Sequence, residues 1–327
     1  MPRVPAPLGL IANPLAGRDV RRLVANASTT SLVDKVTRLR RVLVGAVEAG
    51  VNTVLVQPDP SRICARALDP LQLDPEVEEV AIEQRFDESD TVAAASAMRS
   101  AGVGAVVALG GDGTSRAVAL GWPDVPLVAL STGTNNVFPI AFEATVAGMA
   151  AGLVATGRVP VDAASRAAKV VRLVLPSGAR DVALVDVSLL DEPVLGSLLP
   201  ARPEALRLLV LSRAEPASVG MSAIGGLVEP CGADEDAGVA VVLGTGGRAV
   251  RAPLAPGLYE DVPVLRCERL ALREELSIGG PGVLSLDGDR RHLLGPDDEV
   301  SLRVVRDGPR VIDVERAIRA AGGYRTE

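Results

Sequence analysis

Apolar and polar positions alternate in two different rhythms along this chain. In the first part, short apolar runs are separated by longer stretches with helical spacing. Leu8–Ala12, Val51–Val56, Val77–Ile82, Ala105–Leu109 and Val125–Leu130 have strand length, and several are apolar at every position. A strand that is apolar throughout must be covered on both faces, as in a parallel sheet flanked by helices. Between these runs, Leu32–Ala49, Ser89–Ser100 and the Ala-rich stretch Phe142–Thr156 read as helices, with Asp87 or Ser89 able to cap the second. Strand and helix in turn predict an α/β unit.

The rhythm changes after Val159. Lys169–Leu175, the turn Pro176-Ser177-Gly178 and Asp181–Leu189 predict a hairpin. Leu206–Leu211, Val239–Leu243, Arg248–Ala252, Ser277–Ile278, Val283–Leu286 and Val300–Val305 continue as short strands between Gly-rich turns. Val311–Ala321 has helical spacing again. The expected organisation is an α/β domain with a parallel sheet over residues 1–158 and a β-rich domain over 159–310. A terminal helix, 311–322, is expected to pack back on the first domain.

The composition supports a globular chain: of 327 residues, 48% are hydrophobic and 23% charged, enough apolar surface to bury a core. Aromatics are only 2%, so the core must be Ala, Val and Leu, and a stacking platform for nucleic-acid bases is excluded. The net charge of −7 leaves no basic footprint for nucleic acid or an anionic membrane. Lys occurs only at Lys35 and Lys169. Mean hydropathy is +0.28, yet no run of 18 apolar residues exists, so no spanning helix is predicted. Met1–Pro5 leads into no apolar leader, and Cys64, Cys231 and Cys267 form no CxxC pattern. A reduced, cytoplasmic protein is the expectation. A single histidine, His292, excludes His-based zinc motifs; its polar neighbours predict a solvated loop.

One segment carries a specific chemistry. Gly110-Gly111-Asp112-Gly113-Thr114 follows a buried strand and opens a helical stretch. Backbone N–H groups at a helix start, approached closely over glycine, can cradle phosphate oxygens. A carboxylate there makes sense as a base for a hydroxyl, or as a Mg²⁺ ligand held directly or through water. Alone, the same pattern also fits a strand-ending turn with an Asp cap. Two companion segments reduce that reading: Asn13-Pro14-Leu15-Ala16-Gly17 after the first strand, and Ser131-Thr132-Gly133-Thr134-Asn135-Asn136-Val137-Phe138 after the fifth. Ligands of open parallel sheets bind beyond the carboxyl ends of the strands, where all three segments lie.

These segments, with the later Asp287-Gly288, resemble the ATP–NAD kinase and diacylglycerol kinase superfamily, and most of all its NAD-kinase-like members of acetoin catabolism. The resemblance runs from residue 8 to about 290. It implies a Rossmann-like N-terminal domain, a β-rich C-terminal domain, and a nucleotide cleft between them. It also implies a homo-oligomer that transfers a phosphoryl group from ATP, with Mg²⁺, to a hydroxyl. The leading acceptor is NAD, giving NADP. The alternatives are another small hydroxyl compound, such as a lipid or an acetoin-pathway metabolite, or a non-catalytic NAD- or ATP-binding regulator. On this resemblance Asp112 is the base or Mg²⁺ organiser. Gly110, Gly111, Gly113 and Thr114 form the phosphate loop, joined by Asn13, Thr134, Asn135, Asn136, Asp186, Ser222 and Asp287. Val185 stands where NAD kinases carry an Asn, Ala117 where they carry an Arg, and Val137 where lipid kinases carry an Asp.

Other patterns read as structure. Gly244-Thr245-Gly246-Gly247-Arg248-Ala249 fits GxGxxA but lacks a following helix, so a hairpin turn is expected. Neither lysine sits in a Walker A loop. Asp234-Glu235-Asp236 is expected to be solvated loop charge, and Arg21, Arg22, Arg38, Arg40 and Arg41 exposed helix faces.

Overall fold

The computed structural model describes residues 5–14, 30–68, 75–133, 136–192, 195 and 202–322. Leu8–Ala12 (β1), Leu32–Glu48 (α1), Thr53–Val56 (β2), Ile63–Leu68 (α2), Glu76–Glu79 (β3), Glu88–Ser100 (α3), Ala105–Gly110 (β4), Asp112–Gly121 (α4), Pro126–Ser131 (β5) and Ala144–Ala155 (α5) alternate along the chain. The five strands pair in parallel in the order β3-β2-β1-β4-β5. Every residue of β1 and β4 is buried, as their unbroken apolar runs require. Alternate residues of β1 serve opposite faces: Leu8 and Leu10 pack with α1 and α5, while Ile11 joins the core on the other face. β3 is the exposed edge, and its three glutamates (Glu76, Glu78, Glu79) protect it from pairing with another chain. It lies slightly N-terminal to the predicted run because those charges hide it in a hydropathy pattern.

Helices α1 and α5 meet through glycine. A Cβ on Gly148 would lie 2.1 Å from the Val42 carbonyl oxygen, and one on Gly45 would lie 1.9 Å from that of Thr145. Only hydrogen fits such a backbone approach. Gly148→Ala is therefore expected to lower stability by about 1–3 kcal/mol through overpacking, despite alanine's better helix propensity. A urea midpoint equal to or above wild type would contradict this contact.

The rest of the chain is Val161–Ala164 (α6), Ser165–Ala167 (β6), Val170–Val174 (β7), Arg180–Ala183 (β8), Asp186–Leu190 (β9), Leu206–Leu211 (β10), Met221–Gly226 (α7), Ala237–Ala255 (β11), Leu258–Ala271 (β12), Glu275–Gly279 (β13), Gly282–Leu286 (β14), Asp289–Leu294 (β15), Glu299–Val305 (β16), Arg310–Ile312 (β17) and Val314–Ala320 (α8). Two antiparallel sheets result, β12-β11-β10-β9-β14-β15 and β13-β16-β7-β8. Residues 310–320 are not one helix: β17 pairs in parallel with β5 and antiparallel with β6, and only then does α8 begin, capped by Asp313. The short apolar run Arg310–Ile312 satisfies a sheet edge, which a period count cannot see. α8 packs on α5 and α6. The fold is thus a parallel-sheet α/β unit joined to an antiparallel β-rich region. One apolar cluster spans both, with Val106, Leu127 and Ala129 alongside Val170, Val182, Leu184, Val185 and Val305.

Two sequence expectations change here. Gly244–Gly247 is not a hairpin turn but a bulge within the 19-residue β11, where Leu243 and Arg248 both face Val264 of β12. The true turn follows Ala255, at Pro256-Gly257. His292 is on β15, with Nε2 2.9 Å from Asp181 Oδ2, rather than in a solvated loop. Asp234-Glu235-Asp236 is exposed loop charge, as expected, paired with arginines: Arg166 with Asp234 and Asp236, Arg306 with Asp236 at 2.7 Å, and Arg269 with Glu235 at 2.7 Å.

Candidate active site

The sheet order reverses direction between β1 and β4, the switch point at whose carboxyl ends open parallel sheets bind their ligands, in a crevice between the loops. Asn13 follows β1, and Gly111 and Asp112 follow β4. Asn13 Nδ2 donates to Thr114 Oγ1 at 3.0 Å, so the first two loops are joined. From the third, Asn136 Nδ2 donates to Ser131 Oγ at 2.9 Å, and a Cβ on Gly111 would lie 2.9 Å from Asn136 Oδ1. The structure therefore brings Asn13, Gly110, Gly111, Asp112, Gly113, Thr114 and Asn136 together. Thr134, Asn135, the Leu15–Gly17 segment and Arg21-Arg22 lie outside the described residues.

Helix α4 begins with Gly111 as its N-cap, and no side chain caps it. Among the described residues, no side chain takes up its first-turn N–H groups, so these and the positive end of its dipole suit an anion. Beside Gly113 there is open space: a Cβ there would meet nothing within 4 Å. Gly110 has a different role, since its Cβ would strike Thr114 at 2.5 Å. Thr132 closes the neighbouring turn by donating its N–H to the Gly110 carbonyl at 3.2 Å, while its hydroxyl oxygen is buried without a partner.

Asp112 is the first residue of α4, and its carboxylate faces the third loop. Oδ1 accepts the N–H of Phe138 at 2.8 Å, and both oxygens accept that of Val137 at 3.2 Å. Burial pushes its pKa up to about 7, and the negative charge of Asp287 adds to the rise. The two N–H donors and Arg213 oppose it without cancelling it. A carboxyl group that titrates near neutrality can both accept and release a proton there.

Asp287 also accepts backbone N–H groups. It takes the N–H groups of Leu184 at 2.8 Å, Val185 at 2.7 Å and Asp186 at 3.2 Å. These bonds divide the predicted strand Asp181–Leu189 into β8 and β9, which belong to different sheets. Asp287 itself has φ +49°, in the left-handed region that its β-turn requires. Asp186 is buried and accepts the Ser188 hydroxyl at 3.1 Å. Burial, and then the mutual repulsion of Asp186 and Asp287, raise the Asp186 carboxyl to about 8; burial likewise raises Asp287. The folded state therefore binds the Asp186 proton more tightly than the unfolded state does. Its contribution to stability is full below the ordinary carboxylate range and is lost as pH rises through about 8. Asp186→Asn is expected to melt above wild type at pH 8, with the gap closing by pH 4; a lower melting point at pH 8 would contradict this.

Ser222 does not present its hydroxyl to the crevice. It is buried, donates to the Arg213 carbonyl at 2.9 Å and accepts the Glu215 N–H at 3.0 Å, fixing the turn after β10. The adjoining Gly226 is required by packing, since its Cβ would lie 2.4 Å from the Glu215 backbone. Val185 and Ala117 are both buried, Val185 within the apolar cluster that spans the two parts. No group of three or more His, Cys, Asp or Glu among the described residues is placed to hold a metal ion.

Three cations around the site escaped motif reading. Lys35 is buried in α1 and donates to the carbonyls of Asn13 at 3.1 Å and Pro14 at 2.6 Å, holding the first loop. Arg116 is buried in α4, one turn beyond Asp112. It donates Nε to the Val182 carbonyl at 2.6 Å, one amino group to Glu88 at 3.1 Å, and the other to Asp181. Arg213 is buried over the Phe138 ring. The α1 arginines are engaged rather than free: Arg38 donates to the Ser131 carbonyl at 2.5 Å, Arg40 to that of Ala67 at 3.3 Å, and Arg41 pairs with Glu143 at 3.0 Å. A separate cavity of about 650 Å³, lined by Arg172, Arg180 and Arg303, lies on the four-stranded sheet and contains none of the residues of the crevice.

Known proteins share this fold. The ATP-NAD kinase N-terminal domain matches residues 8–159, and the acetoin catabolism protein X C-terminal domain matches residues 169–307. Acetoin catabolism protein X of Cupriavidus necator (strain H16) is 39% identical over 334 residues, spanning 97% of this chain and 92% of that protein. The structure of yeast NADH kinase complexed with NADH superposes with a TM-score of 0.54 at 16% identity, over 99% of this chain and 91% of that one. A diacylglycerol kinase-like protein from Bacillus anthracis str. Sterne superposes with a TM-score of 0.51 at 13% identity, over 94% and 97%. At such identities the two structures speak for the fold, and the near full-length relative speaks for the family. With its loops, its glycine-opened helix and its β-rich second part, the chain belongs to the acetoin catabolism protein X family, on the fold of the NAD kinases.

Proposed function

We propose that this protein is an ATP-dependent kinase of the NAD-kinase type, which phosphorylates NAD to NADP. The observation that carries this reading is the placement of the Asp112 carboxylate at the start of α4, held toward the third loop by the N–H groups of Val137 and Phe138. The open space at Gly113 and the first turn of α4, capped by no side chain among the described residues, suit the phosphates of ATP. Phosphoryl transfer asks mainly for positioning and charge stabilisation. Asp112 accepts the proton of the acceptor hydroxyl as its oxygen bonds to the γ-phosphorus; the bond from that phosphorus to the β–γ bridging oxygen breaks, and ADP leaves.

Magnesium enters as part of the nucleotide substrate. The Asp112 and Asp287 oxygens already accept backbone N–H groups, and the described carboxylates form no resident metal site. Bound to ATP, the ion neutralises phosphate charge.

One observation favours a second acceptor. Val185, in the place of the NAD-kinase Asn, is fully buried and gives its N–H to Asp287, so a polar contact toward NAD is missing. A different small hydroxyl compound fits that loss. The two readings separate in a transfer assay with γ-labelled ATP and Mg²⁺, offering NAD and a set of small diols. Label in NADP supports NAD; label only in a diol moves the acceptor; ATP binding with no transfer identifies a regulator.

A further inference from the structure

Arg213 is 8% exposed, yet its Nε is buried without a hydrogen-bond partner. Among the described residues its guanidinium makes no hydrogen bond and no ion pair. A guanidinium stays protonated in a protein, so this is a buried cation without a direct counterion. Its position is nevertheless well defined. The guanidinium carbon lies 4.8 Å from the centroid of the Phe138 ring, a cation–π contact. The backbone N–H of that same Phe138 is bonded to Asp112. Ser222 fixes the Arg213 carbonyl, and with it the turn that delivers the side chain. The charges acting on it are the attractive Glu215, Asp112 and Asp234 and the repulsive Arg306, with Lys169 also close enough to interact.

We infer that Arg213 is an anion receptor of the crevice, binding the terminal phosphate oxygens of a nucleoside triphosphate beside Asp112. The inference rests on reading the crevice as a nucleotide site. A planar fork of N–H donors held by an aromatic face, with no partner of its own, is preorganised for a phosphate. The bound phosphate supplies the missing counterion, and Arg213 keeps it next to the base. Ser222 acts one step behind, by fixing the turn.

Binding of ATP, tripolyphosphate and adenosine, measured by titration calorimetry on the full chain, tests this. A charge-assisted hydrogen bond is worth about 1.5–3 kcal/mol, so Arg213→Gln should weaken ATP and tripolyphosphate about 10–150-fold and leave adenosine unchanged. Arg213→Lys, which keeps the charge but loses the fork, should fall between and decides the matter if the Gln variant does not fold. Wild-type affinity for tripolyphosphate in either folded variant overturns the inference, as does a wild type that binds neither ATP nor tripolyphosphate. A wild type that binds tripolyphosphate through Arg213 but phosphorylates nothing would leave the inference standing and remove the kinase reading.

Discussion

Asp112→Asn is expected to bind ATP and melt cooperatively while losing about 10²–10⁴-fold in turnover, the usual worth of general-base catalysis. Asparagine retains one oxygen to accept the Phe138 N–H, so the third loop keeps an anchor. It cannot accept a proton from a hydroxyl. The wild-type pH profile carries the same signature. Because the base must be ionised and its pKa is raised to about 7, kcat/KM should fall as pH drops through that region and level off above it. The Asn variant should lose this acid limb. Near wild-type turnover in Asp112→Asn, or an acid limb that survives the substitution, would remove Asp112 from proton transfer.

Arg116→Met is expected to cost about 3 kcal/mol of stability. Arg116 ties α4 to β8, and Asp181 in turn holds His292 of β15. Burial pushes the Asp181 carboxyl up, but Arg116 and His292 more than offset this and hold it below the usual carboxylate range. Met restores volume yet leaves the Val182 carbonyl and Asp181 short of their donors in a buried setting. Removing one partner of a buried pair costs about 3–5 kcal/mol. The lower end applies because Glu88 is one-third exposed and retains Arg291. Urea unfolding reads the effect, and a change below 1 kcal/mol would contradict a buried bridge between the two parts of the molecule.

The α/β half was legible because its strands are apolar on both faces and its helices are capped locally, as at Asp87. Convergence of the loops followed from the rule for parallel sheets. The buried cations were harder to read. Arg116 and Arg213 sit in no motif; they are buried against partners 28 to 66 residues away, or against an aromatic face. A faint signal did exist for lysine. In a chain whose basic residues are nearly all Arg, both lysines are buried and donate to backbone carbonyls: Lys35 to Asn13 and Pro14, Lys169 to Gly232 and Ala237. A compact ammonium with three donors suits such a cluster of carbonyls. Asp287 and Ser222 carry a second signal that the sequence does not announce: both side chains bond to backbone groups and so fix the local turns.

The central claim is tested most directly by incubating the purified chain with ATP, Mg²⁺ and NAD and detecting NADP with an NADP-specific dehydrogenase, with Asp112→Asn alongside. NADP formed by wild type and lost in the variant is the predicted result. No NADP from protein that demonstrably binds ATP would contradict it.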